Sequence, residues 1–350
     1  MTNPYRDLPA HNFWRKGVTD FCRQEFDPVT SVRFKIEQTD KVATAGSCFA
    51  QHISRRLSAI GFNYFVSEQG FAFEPAERVR RNFGVFSARF GNIYTARQLV
   101  QLFDEAFHGK RLSDDAWTRP DGRFVDPYRP QIEPDGFGSA LDVRAARFEH
   151  LCAVRNMLTD ADVFVFTLGL TESWMNKADG AVYPLAPGVA GGTYDPERYQ
   201  FVNFSVAEVE ADLHYFITEL RKINEKVRIL FTVSPVPLIA TFEPRNVLVS
   251  TTYSKSVLRV AAETMLRTYD FVDYFPSFEI ITGSYNFGMY YEDDAREVNS
   301  LGVSHAMRMF LKNYAGQQDD QKVAPLGISA TDFAVPQVVC DEEAIASINR

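Results

Sequence analysis

The sequence has little of what marks several large classes of protein. Its four cysteines are scattered, with no Cys-x-x-Cys pair among them, which argues against a zinc site or a disulfide scaffold and fits a reducing compartment. No apolar run reaches the roughly 18 residues that span a bilayer, and the first residues lack the apolar core of a signal peptide. We therefore expect a cytoplasmic protein with no metal site and no membrane contact.

A basic surface is also missing. The 37 lysine and arginine residues are outnumbered by 45 aspartate and glutamate residues, which gives a net charge of −8 at pH 7. No basic stripe interleaved with aromatic residues occurs, so the composition argues against a nucleic-acid partner. The hydrophobic share of 45% and the charged share of 23% are ordinary for a globular protein. A chain of this length and composition can bury a sizeable core.

What the chain does have is a regular alternation of apolar strands and amphipathic helices. Residues 161–167 form a continuous apolar strand, which is typical of a sheet that is buried on both faces, and 227–233 are interpreted as another buried strand. The alternation predicts an α/β fold, a three-layer sandwich with a central parallel sheet. In such a sheet, binding sites lie at the carboxyl ends of the strands.

We interpret residues 1–350 as a single α/β domain. Its core runs from about residue 40 to about residue 314, and a hairpin is inserted at about 110–135. The polar tail at 315–350 is expected to pack loosely, and the glycine- and proline-rich stretch at 176–204 predicts a loop.

The most informative stretch is 42–49, where an apolar run is followed by Gly46, Ser47 and Cys48 and then by a helical pattern. This order puts two potential nucleophiles on a strand-to-helix turn, where unpaired N–H groups and the helix dipole favour negative charge. A thiol there tends to have a lowered pKa, whereas a hydroxyl needs a separate base. The same residues also fit a buried, inert cysteine with Ser47 capping the helix.

The segment Thr-Ala-Gly-Ser-Cys-Phe-Ala at 44–50 resembles the motif that gives the GSCFA domain family its name, and 90–95 and 274–280 are similar to further segments of that family. The resemblance runs from about residue 5 to about residue 314. It implies similarity to the SGNH (GDSL-type) hydrolases, which have a flavodoxin-like α/β fold and hydrolyse or transfer acyl groups. The resemblance therefore implies a fold and a reaction class, and leaves the substrate open.

The resemblance also implies a nucleophile and an oxyanion loop. Aligning the GDSL pattern on its glycine puts Cys48 at the nucleophile position, and a shift of one residue would favour Ser47 instead. SGNH enzymes use a loop glycine N–H in the oxyanion hole, and Gly91, followed by Asn92, is the candidate here. The alternative for this segment is a simple turn before a helix.

A third segment departs from the SGNH pattern Gly-x-Asn-Asp. The chain has Gly169 and then Thr171 where the asparagine would stand, and a threonine hydroxyl can donate one hydrogen bond to an oxyanion. Glu172 then becomes a candidate general base or a ligand for substrate hydroxyls. The segment equally fits a loop that caps a helix. Lys255, on a later helix, could reach an anionic group, but a solvated lysine is the default expectation.

The base is where the chain departs most from the SGNH pattern, which has Asp-x-x-His. Here Asp294 is followed three residues later by Glu297 in place of histidine, so that either Glu297 is the base, the base comes from elsewhere, or catalysis is lost. Two histidines could supply the base instead, although each also fits a plain surface or boundary histidine. His52 lies one helical turn after Cys48 and on the same face. His305 follows Asp294 by eleven residues, but the helical periodicity around it favours a position that points to solvent.

Together these residues predict an SGNH-like acyl hydrolase or acyltransferase that acts on an ester or thioester of a small molecule or carbohydrate. Trp117 and Trp174 are expected in loops near the mouth of the site, where flat aromatic surfaces can stack on sugars, and either equally fits a loop anchor. No cofactor is expected, although an acyl-CoA donor would fit a cytoplasmic location. The alternative is a non-catalytic module that binds a carbohydrate or another ligand and lacks the base. Hard-cation binding by the acidic residues at 293–297 is a weaker third interpretation.

Overall fold

The computed structural model of the chain describes residues 3–316 and 340–347. The strands in this part are β1 (Val42–Gly46), β2 (Trp117–Thr118), β3 (Phe124–Val125), β4 (Val163–Leu168), β5 (Glu172–Asn176), β6 (Val182–Tyr183), β7 (Tyr199–Asn203), β8 (Arg228–Val233) and β9 (Val272–Tyr274). The α-helices are α1 (Ala50–Ala59), α2 (Pro75–Arg80), α3 (Ala96–Phe103), α4 (Ala140–Asp160), α5 (Val206–Ile223), α6 (Val247–Thr268), α7 (Ser277–Thr282), α8 (Ser300–Tyr314) and α9 (Glu343–Ser347).

The central sheet has four strands in the order β1-β4-β8-β9, and every pair in it is parallel. Gly46 pairs with Thr167, and Thr167 in turn pairs with Thr232. The carboxyl ends of β1, β4 and β8 therefore lie side by side. Strand β4 is buried along its whole length, which explains its continuous apolar sequence.

Helices cover both faces of this sheet. Phe164 and Phe166 pack with residues of α3, α4, α5 and α6 in one core. Val163 and Val165 point to the opposite face, because side chains alternate along a strand, and they pack with α1, α7 and α8. The predicted three-layer, flavodoxin-like α/β sandwich is confirmed.

The inserted hairpin is confirmed as the antiparallel pair β2 and β3. Trp117 in β2 is 4% exposed, because its ring packs against Tyr183 and Tyr199. The expectation that Trp117 offers a stacking surface at the mouth of a site was therefore wrong.

The stretch at 176–204 is more regular than its composition predicts. Strands β6 and β7 pair with opposite edges of β5 to form a second, antiparallel sheet. The loop prediction was wrong at these strands because each is short and depends on a partner outside the stretch, at Glu172–Asn176.

The C-terminal segment is not uniformly loose. Asp341 and Glu342 are buried, because polar side chains of the core bind both of them. The rest of the predicted tail, residues 317–339 and 348–350, lies outside the described residues. In the part of the chain that the structure covers, no helix is both long and apolar enough to cross a membrane.

Candidate functional site

A small cavity lies at the carboxyl edge of the central sheet, and it encloses about 230 Å³ when the open solvent at its mouth is included. The turns that follow β1, β4 and β8 contribute Ser47, Cys48, Gly169 and Ser234 to its lining, as the strand topology requires. Tyr94, Lys255 and Glu342 add polar groups, and the apolar part of the lining consists of Leu170, Val236, Pro237 and Leu238.

The turn between β1 and α1 is held close to the end of β4. Gly46 has φ +124, and a Cβ on it would overlap the carbonyl oxygen of Thr167, so that only glycine fits here. The next residue, Ser47, donates its N–H to that same oxygen at 3.0 Å. The N–H of Cys48 donates to no backbone carbonyl of the described residues.

Both predicted nucleophiles line this cavity. The Ser47 hydroxyl is buried and has no hydrogen-bond partner among the residues that the structure covers. The influence of the Cys340 thiol of the C-terminal segment, together with burial, raises the pKa of Cys48 well above its usual value. The expectation of a lowered pKa was wrong, because these two effects outweigh that of the helix terminus. Conversely, the influence of Cys48 lowers the pKa of Cys340.

Lys255 is the buried cation of the site. It is 4% exposed, and its ammonium group donates a hydrogen bond to the carbonyl oxygen of Gly169 at 2.6 Å. Burial lowers the pKa of Lys255 to about 8. The expectation of a solvated lysine was wrong, because Lys255 lies on the face of α6 that packs onto the sheet edge. A lysine with such a pKa can act as a base near neutral pH.

The C-terminal segment is bound by three polar side chains. Asn92 donates to the carboxylate of Asp341 from its side-chain amide at 3.0 Å and from its backbone N–H at 3.4 Å. The N–H of Asp341 donates to the Tyr94 hydroxyl at 3.1 Å. Arg296 binds the next residue, Glu342, at 3.0 Å. The predicted oxyanion loop at 90–92 therefore holds a carboxylate of the chain itself.

The predicted Asp294 and Glu297 do not line the cavity. Both are exposed, and the Asp294 carboxylate accepts the N–H groups of Arg296 and Glu297 at 2.9 Å each. These bonds shape a turn on which Arg296, lying between the two, points inward to Glu342. This loop therefore contacts the site through Arg296. The predicted acid, Asp294, and the predicted base, Glu297, make no such contact with its described residues.

Neither candidate histidine lines the cavity. His52 packs on Phe49, with 5.3 Å between ring centroids, and burial, then Arg55, lowers the pKa of His52 to about 4. His305 is 2% exposed and bonds to the Tyr290 hydroxyl and the Phe26 carbonyl oxygen, each at 2.7 Å. The solvent-facing prediction for His305 was wrong, because the N-terminal segment covers that face of α8.

The segment after β4 is divided in its roles. Gly169 lines the cavity, and a Cβ on it would lie 2.9 Å from the carbonyl oxygen of Tyr94. The Thr171 hydroxyl points away and donates to Asn203 at 2.7 Å, while Glu172 accepts a hydrogen bond from Thr241 at 2.7 Å. Thr171 therefore holds the end of β7, and Glu172 holds the loop that contains Thr241. Gly91, with φ +71, lies beside the Asp341 carboxylate.

Sequence reasoning missed Arg296, Cys340, Asp341 and Glu342. Arg296 carries a weak signal, since it lies inside the Asp294–Glu297 segment that the reasoning had already selected. Cys340, Asp341 and Glu342 follow a long stretch that is first polar and then mixed. Nothing in the sequence around these three residues indicates a contact with β1. In the described part of the chain, no group of three or more His, Cys, Asp or Glu side chains could hold a metal ion.

The model of the GSCFA family matches residues 41–310. The chain belongs to the GSCFA family. The region of the GSCFA match includes the β1–α1 turn, Lys255 and Arg296, whereas Cys340 and Glu342 lie beyond its end. No curated protein matches the sequence.

Proposed function

We propose that this GSCFA protein is a thiol-dependent acyl hydrolase or acyltransferase that acts on an ester or thioester, in the manner of SGNH enzymes. The observation that carries the proposal is the pairing of Cys48 with Lys255 in one small cavity. Cys48 offers a nucleophile on the turn that precedes α1, and Lys255 offers a base whose pKa is lowered to about 8.

The raised pKa of Cys48 means that the thiol is protonated at rest. In the first step, neutral Lys255 takes the thiol proton as the sulfur attacks the substrate carbonyl carbon, and the carbonyl π electrons move to oxygen. The Cys48 N–H stabilises this oxyanion. When the intermediate collapses, the bond to the leaving alcohol or thiol breaks and Lys255 returns its proton to that group. Water or an acceptor hydroxyl then releases the acyl group from sulfur.

Charges around Lys255 support this role. Burial favours the neutral amine, whereas Glu342 acts in the opposite direction and favours the ammonium form. The balance gives a lysine that can hold or release a proton near pH 8. The bond to the Gly169 carbonyl fixes the position of the amine beside the cavity, which favours its use in proton transfer.

The lining favours a short acyl group. Leu170, Val236, Pro237 and Leu238 form a small apolar wall, which suits an acetyl or similar chain better than a long lipid chain. A carbohydrate or another flat group is proposed for the remainder of the substrate. Trp174 was expected in a loop but lies in β5, where it packs edge to face with Tyr194 and Phe242.

The test compares the wild-type protein with Cys48→Ala, Ser47→Ala and Cys152→Ser. Each is incubated with p-nitrophenyl acetate and with acetyl thioesters, and the intact mass is recorded for a covalent acetyl group. We expect turnover and acetylation to be lost in Cys48→Ala and retained in Cys152→Ser, which changes a cysteine away from the cavity.

Two outcomes would contradict the proposal. Turnover that survives in Cys48→Ala and disappears in Ser47→Ala would make the hydroxyl the nucleophile. Absence of both turnover and acetylation in the wild-type protein would favour the alternative, a binding module with no base. The exposed positions of Asp294 and Glu297 are the observation that favours this alternative.

A further inference from the structure

We propose that the C-terminal segment at 340–345 is a lid over the cavity, and that a binding site for two adjacent carboxylates holds it closed. The ligand of this site is the chain's own acidic pair, Asp341 and Glu342. Such a lid opens to admit a ligand to Cys48 and completes the cavity when it closes. The inference concerns access to Cys48 and does not depend on acyl transfer.

The closed cavity is smaller than an ordinary ligand pocket. Cys48 and Lys255 are 7% and 4% exposed, and Glu342 lines the cavity together with both of them. The space amounts to about 230 Å³ even with the open solvent at its mouth, whereas ligand pockets enclose roughly 300–1,000 Å³. A ligand of ordinary size therefore needs one wall of the cavity to move.

The C-terminal segment is a wall that can move without disturbing the core. Across the described residues, the clusters of packed apolar side chains include no member of 340–345. The buried side chains of this range are those of Asp341 and Glu342, and Oδ1 of Asp341 has no hydrogen-bond partner in the described chain. Polar contacts contribute less net stability than apolar burial, and an unpaired buried oxygen costs free energy. The segment should therefore open more easily than the sheet.

The groups that hold the segment are suited to carboxylates. Asn92, Tyr94 and Arg296 form this set, which we call the carboxylate site. Asn92 donates to the Asp341 carboxylate from its side-chain amide at 3.0 Å and from its backbone N–H at 3.4 Å. Arg296 donates to the Glu342 carboxylate at 3.0 Å, and Tyr94 accepts the N–H of Asp341 at 3.1 Å. The site therefore fits two consecutive acidic residues, with charge-assisted hydrogen bonds to both.

The carboxylate site is built on parts of the chain that are fixed by other contacts. Asn92 and Tyr94 lie on the loop before α3, and the Tyr94 carbonyl oxygen accepts the N–H of Gly169 at 3.1 Å. The turn with Arg296 is shaped by the Asp294 carboxylate, which accepts the N–H of Arg296 at 2.9 Å. The donors therefore stay in position when the segment opens, and a free acidic peptide can bind to them.

The first test measures amide hydrogen exchange in the wild-type full chain. The N–H groups of Asp341, Ala344 and Ile345 are hydrogen-bonded, so their exchange reports opening of the segment. We expect peptides that cover 340–345 to exchange at least about tenfold faster than peptides that cover β4. Equal protection of the two would overturn the proposal, because the segment would then open only with the whole fold.

The second test measures how fast iodoacetamide alkylates Cys48 in the folded full chain, with peptide mapping to identify the thiol. Arg296→Gln weakens the carboxylate site, and the double change Asp341→Ala with Glu342→Ala removes its ligand. Each should raise the alkylation rate by about tenfold or more, because the lid is open for a larger fraction of the time. The matched control, Glu343→Gln, changes the exposed acid next in the chain and should keep the wild-type rate.

The two variants separate opening of the lid from a change in thiol ionisation. Cys340 and burial raise the pKa of Cys48, Glu342 raises it further, and Arg296 lowers it. By charge alone, loss of Arg296 would slow alkylation, because the thiolate is the reactive form. Faster alkylation in Arg296→Gln therefore reports an open lid. Unchanged or slower alkylation in this variant, with circular dichroism showing that it is folded, would overturn the proposal.

The third test addresses the ligand of the carboxylate site. The acetylated peptide Asp-Glu-Glu-Ala-Ile-Ala-Ser, which has the sequence of residues 341–347, is added to the double alanine variant. It should slow the alkylation of Cys48 towards the wild-type rate, whereas a peptide with alanine at its first two positions should not. Equal effects of the two peptides, or no effect of either, would overturn the carboxylate site. Alkylation reports access to the sulfur, so a failure of acyl transfer leaves these results unaffected.

Discussion

Lys255 has a pKa of about 8 because the protein buries it at a sheet edge, and this single residue sets a testable pH dependence. The neutral amine is the active form of a base, so the rate should rise as pH increases through about 8 and then level off. Lys255→Met should lower kcat/KM for an aryl ester by about 10²- to 10⁴-fold, the usual contribution of general-base catalysis, and should remove the rise near pH 8.

The matched control for this prediction is Lys222→Met on α5. Lys222 is 62% exposed and pairs with Glu219, so its loss should leave both kcat/KM and the pH profile unchanged. If Lys255→Met keeps the rise near pH 8, that ionisation belongs to another group, and the role of Lys255 as base is wrong.

Among the structural elements, the inserted hairpin is held by a buried ion cluster. Asp126 binds Arg129 at 2.8 Å, and their side chains are 0% and 1% exposed. Arg147 of α4 pairs with Asp126 at 3.4 Å and also with Glu105. Asp126→Asn should lower the free energy of unfolding by about 3–5 kcal/mol, because it leaves Arg129 buried without its counter-charge.

Urea denaturation followed by circular dichroism would measure this loss. The control is Asp115→Asn, which breaks the 3.4 Å pair with Arg144 between side chains that are 58% and 50% exposed. It should change the stability little, because exposed ion pairs are screened by water. Equal effects of the two substitutions would show that burial of the Asp126 cluster contributes nothing.

Local patterns predicted the elements well and the polar side chains of the site poorly. Continuous apolar sequence identified β4 and β8, and the strand ends led to Cys48 and Gly169, because parallel topology brings such ends together. The burial of Lys255 and Glu342 was not predictable in this way. A charged residue is buried only where a tertiary partner compensates it, and periodicity shows no partner that lies elsewhere in the chain.

For the molecule as a whole, buried histidines should make the fold sensitive to acid. Burial lowers the pKa values of His150 and His305 to about 4, while unfolded histidine has a pKa near 6.5. Between those values the unfolded chain binds more protons, so the free energy of unfolding should fall as the pH falls from 6.5 to 4. Each histidine can contribute on the order of 3 kcal/mol. Asp341, whose pKa burial raises to about 6, opposes this trend.

Urea denaturation at pH 7, 5.5 and 4.5 would show the trend. His150→Gln should flatten the dependence on pH, since glutamine does not titrate, even if it also lowers stability at pH 7. His11→Gln changes an exposed histidine and is the control that should keep the wild-type slope. A stability that is constant or increases towards pH 4.5 would contradict the prediction.

The wide sequence separation between Cys48 and Glu342 also matters during synthesis. Translation makes Cys48 long before it makes the carboxylate that faces Lys255. A chain arrested between the two would have an incomplete cavity, with Arg296 lacking its counter-ion. Any reactivity that depends on the assembled cavity would then be absent from fragments that stop short of Glu342.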